Sequence, residues 1–346
     1  MSRRSDHVAK ADERWMTRAL EQARRGLGRT TPNPIVGACI VTDEGVVVGD
    51  GAHERAGEPH AEVHALNEAG ERARGATLYC TLEPCSHTGR TGPCTERIIA
   101  AGIRRVVAAM EDPFPLVRGR GFAALRAHGI EVHEGLEREA AVRLNQPFLT
   151  AVRDGRPFVI VKAAASLDGR IARAPGERTP ITSAEANRRV QYLRAQVDAL
   201  GVGSETVLAD DPLLTVRDVY RERPLIRVIF DRRRRTPASA RVFSTIKDGP
   251  VLVVGSRGED LQSVLRHLAS EGVQSLLLEG GAQIHAAAWD AGLVDYVQLF
   301  VAPVALGPAG VPLFGGRPWS MSSLIDPQVE LLGPDTLIEG YVHRPH

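Results

Sequence analysis

The sequence predicts an α/β protein built as two consecutive layered units. Three observations carry that prediction. Apolar runs of strand length alternate with segments of helical period in both halves of the chain. A polar turn at 152–157, containing Asp154, Gly155 and Pro157, interrupts the pattern. A chain of 346 residues also exceeds what one hydrophobic core ordinarily organises.

In the first half, the charged segment 1–12 is expected to be a disordered tail, and 13–25 reads as the first helix. The runs 36–42 and 46–51 flank Asp43, Glu44 and Gly45, a turn that predicts a hairpin. A helix over 60–69 puts His60 and Glu62 near its first turn, and a strand over 76–81 leads into Pro84 and Cys85. A helix follows at 94–101, a strand at 105–110, and helices at 118–128 and 137–149. After the turn at 152–157 the pattern restarts with a strand at 158–164 and a helix at 184–197. Strands at 199–202, 225–230 and 251–255, a helix at 260–271, a strand at 275–278, a helix at 282–291 and a strand at 295–302 complete the second unit. The two halves do not repeat one another.

Composition narrows the function classes. Apolar residues make up 43% of the chain and the net charge is +1. Balanced charge and 5% aromatic content argue against a nucleic-acid-binding surface, which needs basic stripes with stacking rings. The run Arg232 to Arg235 reads as a solvated loop, with a phosphate contact as the alternative. No stretch of about 18 apolar residues occurs and the N-terminal segment lacks an apolar core, so neither a membrane span nor an export signal is expected. Of the four cysteines, Cys39 and Cys80 sit in apolar runs and read as buried small hydrophobes. A disulfide framework is not expected, which points to a reducing, cytoplasmic setting.

The chemistry begins with His60, Glu62, Pro84-Cys85 and Cys94. One imidazole and two thiolates fill three of four tetrahedral positions on zinc and leave the fourth for water, the design of a catalytic site. Glu62 lies two residues from the first ligand, close enough to move protons without binding metal. The order H-x-E, then P-C, then a second Cys is that of zinc-dependent base deaminases, although here eight residues separate the cysteines where two are usual. The Gly and Pro in that insert allow it to loop out. A structural zinc with His87 as fourth ligand is the alternative. His64, four residues after His60, reads as a helix-packing residue.

A second chemistry lies in the other half. Gly280 and Gly281 follow a strand and open a helix, and Gly201 and Gly203 mark another turn after a strand. Such turns let a ligand phosphate approach backbone N–H groups, as in dinucleotide binding. Neither is the G-x-G-x-x-G fingerprint, so a fold other than the Rossmann type is expected.

At this point the residues resemble a known family. The strings TPNPIVG (31–37), HAEVHAL (60–66), TLEPCSHTGRTGPC (81–94), SLDGR (166–170), ITS (181–183), TVLADDPLLT (206–215) and LEGG (278–281) occur in that order. The chain resembles the bifunctional deaminase–reductases of riboflavin biosynthesis over nearly its whole length. That resemblance implies a cytidine-deaminase-like three-layer domain over 13–152 and a dihydrofolate-reductase-like domain over 156–346. It implies zinc-dependent loss of the 2-amino group of 2,5-diamino-6-ribosylamino-4(3H)-pyrimidinone 5′-phosphate. Reduction of the ribosyl group of the product to ribityl by NADPH then follows. By the same resemblance Asn33, His53, His87, Arg90 and Asp112 hold the pyrimidine and its phosphate. In the second domain Arg194, Leu214, Arg217 and Glu279 meet the substrate, and Ala164, Pro180, Thr206, Asp210, Gly280, Gly281 and Ala282 meet the cofactor. Lys162 is expected to polarise or protonate the ribose oxygen as hydride arrives. Phe114 stands where the family usually has Asn, and Arg178 and Pro180 where it commonly has Ser and Trp. The alternatives are a deaminase whose reductase domain has degenerated and a nucleic-acid base deaminase. Small phosphoribosylaminopyrimidine substrates, no nucleic acid, no membrane and a homo-oligomer are the expected partners.

Overall fold

The computed structural model describes residues 3–86, 92–114 and 117–345, and it divides into two compact units between Arg153 and Asp154.

In the first unit the order is α1 (Arg3–Ala23), β1 (Gly37–Val41), β2 (Val47–Ala52), α2 (Ala61–Ala69), β3 (Thr77–Cys80), α3 (Cys94–Ala100), β4 (Arg105–Ala108), α4 (Arg120–Ala127), β5 (Glu131–Glu134), α5 (Arg138–Leu144) and α6 (Gln146–Asp154). The sheet order is β2-β1-β3-β4-β5, with β1 antiparallel to both neighbours and β3, β4 and β5 parallel. Glycines set how closely helices lie on it. A Cβ at Gly51 of β2 would sit 1.9 Å from the Ala61 carbonyl oxygen, and one at Gly37 of β1 would sit 2.0 Å from that of Ala19. Only a bare backbone admits α2 and α1 this close.

In the second unit the order is β6 (Phe158–Ser166), β7 (Arg170–Ala172), α7 (Ala184–Gln196), β8 (Ala199–Gly203), α8 (Ser204–Asp210), β9 (Ile226–Phe230), β10 (Val251–Val254), α9 (Leu261–Ser270), β11 (Ser275–Glu279), α10 (Ala282–Asp290), β12 (Tyr296–Ala302), β13 (Val311–Pro312), β14 (Ile325–Leu332) and β15 (Asp335–Tyr341). The eight-stranded sheet runs β10-β9-β8-β11-β6-β12-β15-β14. Its strands from β10 to β12 are parallel, and β15 and β14 pair antiparallel at one edge. From β6 the chain moves outward to β8, β9 and β10, then returns to place β11 beside β6. The strand order reverses at β11, and in an open parallel sheet ligands usually bind at the carboxyl ends of the strands beside such a point, here β6, β8 and β11.

Several elements differ from the sequence reading. The first helix begins at Arg3, so the segment expected to be a disordered tail is helical from there. Asp12 anchors it: the side chain is buried, accepts from the Tyr79 hydroxyl at 2.6 Å and pairs with both terminal nitrogens of Arg105. The helix predicted over 137–149 is two helices broken at Asn145. That side chain takes the Ile35 N–H at 2.8 Å and donates to the Ile35 carbonyl at 3.0 Å, a strand-like pairing that favours the break. The short helix α8 and the strands β5, β7, β13, β14 and β15 were not anticipated.

Candidate functional site

In the first unit the carboxyl end of β3 and the N-termini of α2 and α3 converge. His60 caps α2 and Cys94 is the first residue of α3. Donor atoms held about 2.0–2.3 Å from one tetrahedral centre lie about 3.5 Å apart. His60 Nδ1 is 3.5 Å from Cys85 Sγ and 3.3 Å from Cys94 Sγ, and the three donor atoms all lie within 4.8 Å of one another. The set is thus closed to the size of a zinc ion. Its chemistry fits as well: Cys94 and the His60 ring hydrogen-bond the Cys85 sulfur and lower the pKa of that thiol. The Cys94 backbone N–H, at the start of α3, also faces it at 3.4 Å.

Glu62 lies in the first turn of α2, buried, with Oε2 lacking any hydrogen-bond partner. An orphaned carboxylate oxygen beside three metal donors marks room for a water or substrate group. Burial pushes the carboxyl up to about 7. His64 does not join the donor set.

Asn33 and His53 line the same place. The His53 ring meets His60 edge-on with centroids 5.3 Å apart. Its Nδ1 is 3.2 Å from the Pro59 carbonyl, which can only accept, so Nδ1 carries the proton and Nε2 accepts from Asn33 Nδ2 at 3.0 Å. Burial lowers the His53 pKa, in keeping with that neutral tautomer. Asp112 is buried after β4 and accepts from the Phe114 N–H at 2.8 Å. His87 and Arg90 lie outside the described residues.

In the second unit Lys162 of β6 is paired in register with Glu279 of β11. Arg194 of α7 grips that carboxylate with two bonds, of 2.7 and 2.8 Å, and donates to the Thr215 carbonyl at 3.0 Å. Although burial opposes its charge, the Arg194 guanidinium holds Glu279 below the usual carboxylate range. Burial lowers the Lys162 pKa against the pull of Glu279, and Phe300 lies under its ammonium at 5.6 Å. Gly280 and Gly281 both have positive φ, and a Cβ on either would approach Thr206 Oγ1 of α8 at 3.2 and 3.3 Å. Gly281 and Ala282 open α10. Asp210 ends α8, with its carboxyl raised by burial and opposed by the charge of Arg178. Leu214 is buried with φ of 55°, Ala164 is half-buried on β6, and Pro180 and Arg178 are exposed. The Arg217 N–H donates to Gln191 Oε1 at 2.9 Å, tying that loop to α7.

Sequence reasoning missed two supporting residues. Arg221 donates to the carbonyls of Arg194, Ala195 and Val197, closing the end of α7 that carries Arg194. Glu83 sits inside the quoted string at 81–94, yet spacing alone assigned it nothing. A carboxylate next to Pro in an otherwise apolar strand end was the available sign.

Residues 9–110 match the family described as the cytidine and deoxycytidylate deaminase zinc-binding region, and residues 157–342 match the RibD C-terminal domain. The riboflavin biosynthesis protein RibD of Escherichia coli (strain K12) is 45% identical over 326 residues, which cover 86% of this chain and 89% of that protein. The structure of Acinetobacter baumannii RibD, form 1, is 38% identical, covers 96% of this chain and 99% of that one, and superposes with a TM-score of 0.86. A Thermotoga maritima structure described as a diaminohydroxyphosphoribosylaminopyrimidine deaminase/5-amino-6-(5-phosphoribosylamino)uracil reductase is 36% identical, covers 97% and 99%, and has a TM-score of 0.87. A cytidine-deaminase-like unit followed by a dihydrofolate-reductase-like unit defines a bifunctional deaminase–reductase. The chain belongs to the RibD family of riboflavin biosynthesis.

Proposed function

We propose that the first unit, over 13–152, deaminates 2,5-diamino-6-ribosylamino-4(3H)-pyrimidinone 5′-phosphate. The second, over 156–346, then reduces the ribosyl group of the resulting uracil. The closed donor set of His60, Cys85 and Cys94 beside the orphaned Glu62 oxygen carries this reading. Zinc held there supplies Lewis acidity that makes water nucleophilic at neutral pH. With zinc bound, the water oxygen would add to the ring carbon that bears the 2-amino group; Glu62 would carry one water proton to the ring nitrogen and the second to the amine, so that the carbon–nitrogen bond breaks and ammonia leaves. Asn33, held by His53, presents its amide to the pyrimidine, with Asp112, His87 and Arg90 completing base and phosphate recognition.

In the second unit Arg194, Arg217, Glu279 and Leu214 hold the substrate, and Lys162 gives a proton to the ribose oxygen as hydride reaches the carbon. The turn Gly280-Gly281-Ala282 with Thr206 takes the cofactor phosphates, and Asp210, Ala164 and Pro180 line the remainder of its path. NADPH, when bound, supplies the hydride. Preference for NADPH over NADH finds support in Arg232, Arg233 and Arg234, exposed after β9. The strand they follow, β9, lies two positions from β11 in the sheet. Equal affinity for NADPH and NADH in a fluorescence titration would count against that preference.

A cytoplasmic, reducing setting is our reading, supported by the four cysteines, none of which is in a disulfide. Among the described residues, no helix is long and apolar enough to cross a membrane. Self-association is supported by Val329 and Leu331, exposed on the edge strand β14, and a single-chain mass in light scattering would contradict it. The primary test is NADPH oxidation by purified protein given 5-amino-6-ribosylaminouracil 5′-phosphate. Oxidation matching substrate consumed is expected despite Arg178 and Pro180. Ammonia release from the diamino precursor without any oxidation would leave a deaminase alone.

A further inference from the structure

One buried carboxylate of the first unit takes no part in the chemistry above. Glu83 is 3% exposed, and both its oxygens are filled by backbone donors from distant segments. Oε1 accepts from the N–H groups of Gly121 and Phe122 at 2.8 and 3.4 Å. Oε2 accepts from those of Asp112 and Gly119 at 3.1 and 3.0 Å. The Glu83 N–H itself donates to the Met110 carbonyl at 2.9 Å.

Part of this is helix capping from afar. Helix α4 starts at Arg120, its cap residue Gly119 has no side chain to offer, and the donors of Gly121 and Phe122 would otherwise be orphans. Capping does not account for the other oxygen, which takes Asp112 from the loop after β4. Glu83 therefore holds the N–H groups of Asp112 and Gly119 against the chain that reaches Cys85 two residues later. Contact there is tight: a Cβ at Gly121 would lie 2.0 Å from the Pro84 carbonyl oxygen.

We propose that Glu83 is a positioning residue for deamination. It fixes the Asp112 loop at a set distance from the Cys85 side of the metal site, so that base and metal are held in register. This rests on the reading of Asp112 as a substrate contact. Glu83 touches neither substrate nor metal; it acts through Asp112.

The experiment compares deaminase kinetics of the full-length, zinc-loaded chain with Glu83→Gln, Asp112→Ala and the double variant. Zinc content and NADPH-dependent reductase rate are measured on each. Glutamine keeps the size but turns an NH2 group toward two of the four donors. Glu83→Gln is expected to keep parental zinc and reductase rate while raising the deaminase KM more than it lowers kcat. kcat/KM should fall about 10- to 100-fold, the scale of a small misplacement. In the Asp112→Ala background the same change should add less than about 2-fold, because the two residues act as one unit. If Asp112→Ala raises KM but Glu83→Gln leaves the kinetic constants at parental values and lowers only Tm, Glu83 is a helix cap and the proposal is wrong. Parental KM in Asp112→Ala overturns the substrate reading of Asp112, and the proposal with it. Should Glu83→Gln lose zinc or fail to fold, Gly119→Ala replaces it. A Cβ at its φ of 72° strains the same loop end while the carboxylate stays. Unchanged deaminase KM in that variant overturns the proposal, and a raised KM with parental zinc supports it.

Discussion

Glu62 and His285 are both buried titratable side chains with one unpartnered atom, and they serve opposite ends. Glu62 faces the metal donors, and in the proposed mechanism its open oxygen is where a proton is accepted and returned. Glu62→Gln keeps the shape and removes the proton carrier. Ammonia release should fall about 10²- to 10⁴-fold, with zinc content and reductase rate at parental values. Activity within a few-fold of the parent would remove Glu62 from the mechanism. His285 donates from Nε2 to the Leu278 carbonyl at 3.2 Å, beneath the β11 turn. Burial holds its pKa down to about 4 against an ordinary 6.5. Between those values the unfolded chain binds one more proton than the native one, so stability is present above the upper value and is lost as pH falls through the window. The contribution is about 3 kcal/mol. Melting curves of the parent and His285→Gln should therefore converge as pH drops from about 7 to about 4.5. Parallel curves would show that the fold leaves the His285 pKa at its unfolded value.

The way α2 lies on β2 decides where His60 and Glu62 stand. Gly49 and Gly51 let the helix backbone touch the strand: their added Cβ atoms would lie 2.1 Å from the Ala65 oxygen and 1.9 Å from the Ala61 oxygen. Gly51→Ala must push the N-terminal turn of α2 outward. We expect a stability loss of about 1–3 kcal/mol. Weaker zinc binding and a deaminase rate lower by about 100-fold should accompany it. Parental zinc affinity in Gly51→Ala would show that the helix relaxes without moving its first turn. This packing also explains what the sequence made legible. The convergence of His60, Cys85 and Cys94 was legible because zinc chemistry demands their types and order, and the hairpin because Asp43-Glu44-Gly45 is strong turn chemistry. The break at Asn145 was hidden because the side chain that favours it pairs with Ile35, far away in sequence. Strand β14 was hidden because both its faces carry exposed side chains, which leaves no alternation to read. Glu83 was hidden because its four partners are backbone groups, which no residue pattern encodes.

Across the whole molecule, two activities sit on two units with cores of their own. One buried cluster runs from Trp15 to Leu149 and the others from Val159 to Leu337. The metal donors all belong to the first unit and the Lys162, Arg194 and Glu279 group to the second. Zinc removal should therefore separate the activities. The first core buries some thirty-five apolar residues, of which only Cys94 is a metal donor, so stripping zinc with a chelator should abolish ammonia release and leave far-UV helix content nearly unchanged. NADPH oxidation with the deaminated substrate should continue at the parental rate. Added zinc should restore deamination, since His60 Nδ1 and the two sulfurs already lie within reach of a common ion. Loss of helix content on chelation, with deamination recovered only after refolding, would make the metal part of the scaffold, as in sites with four protein ligands. Loss of both activities together would show that the units depend on each other for function, which separate cores argue against.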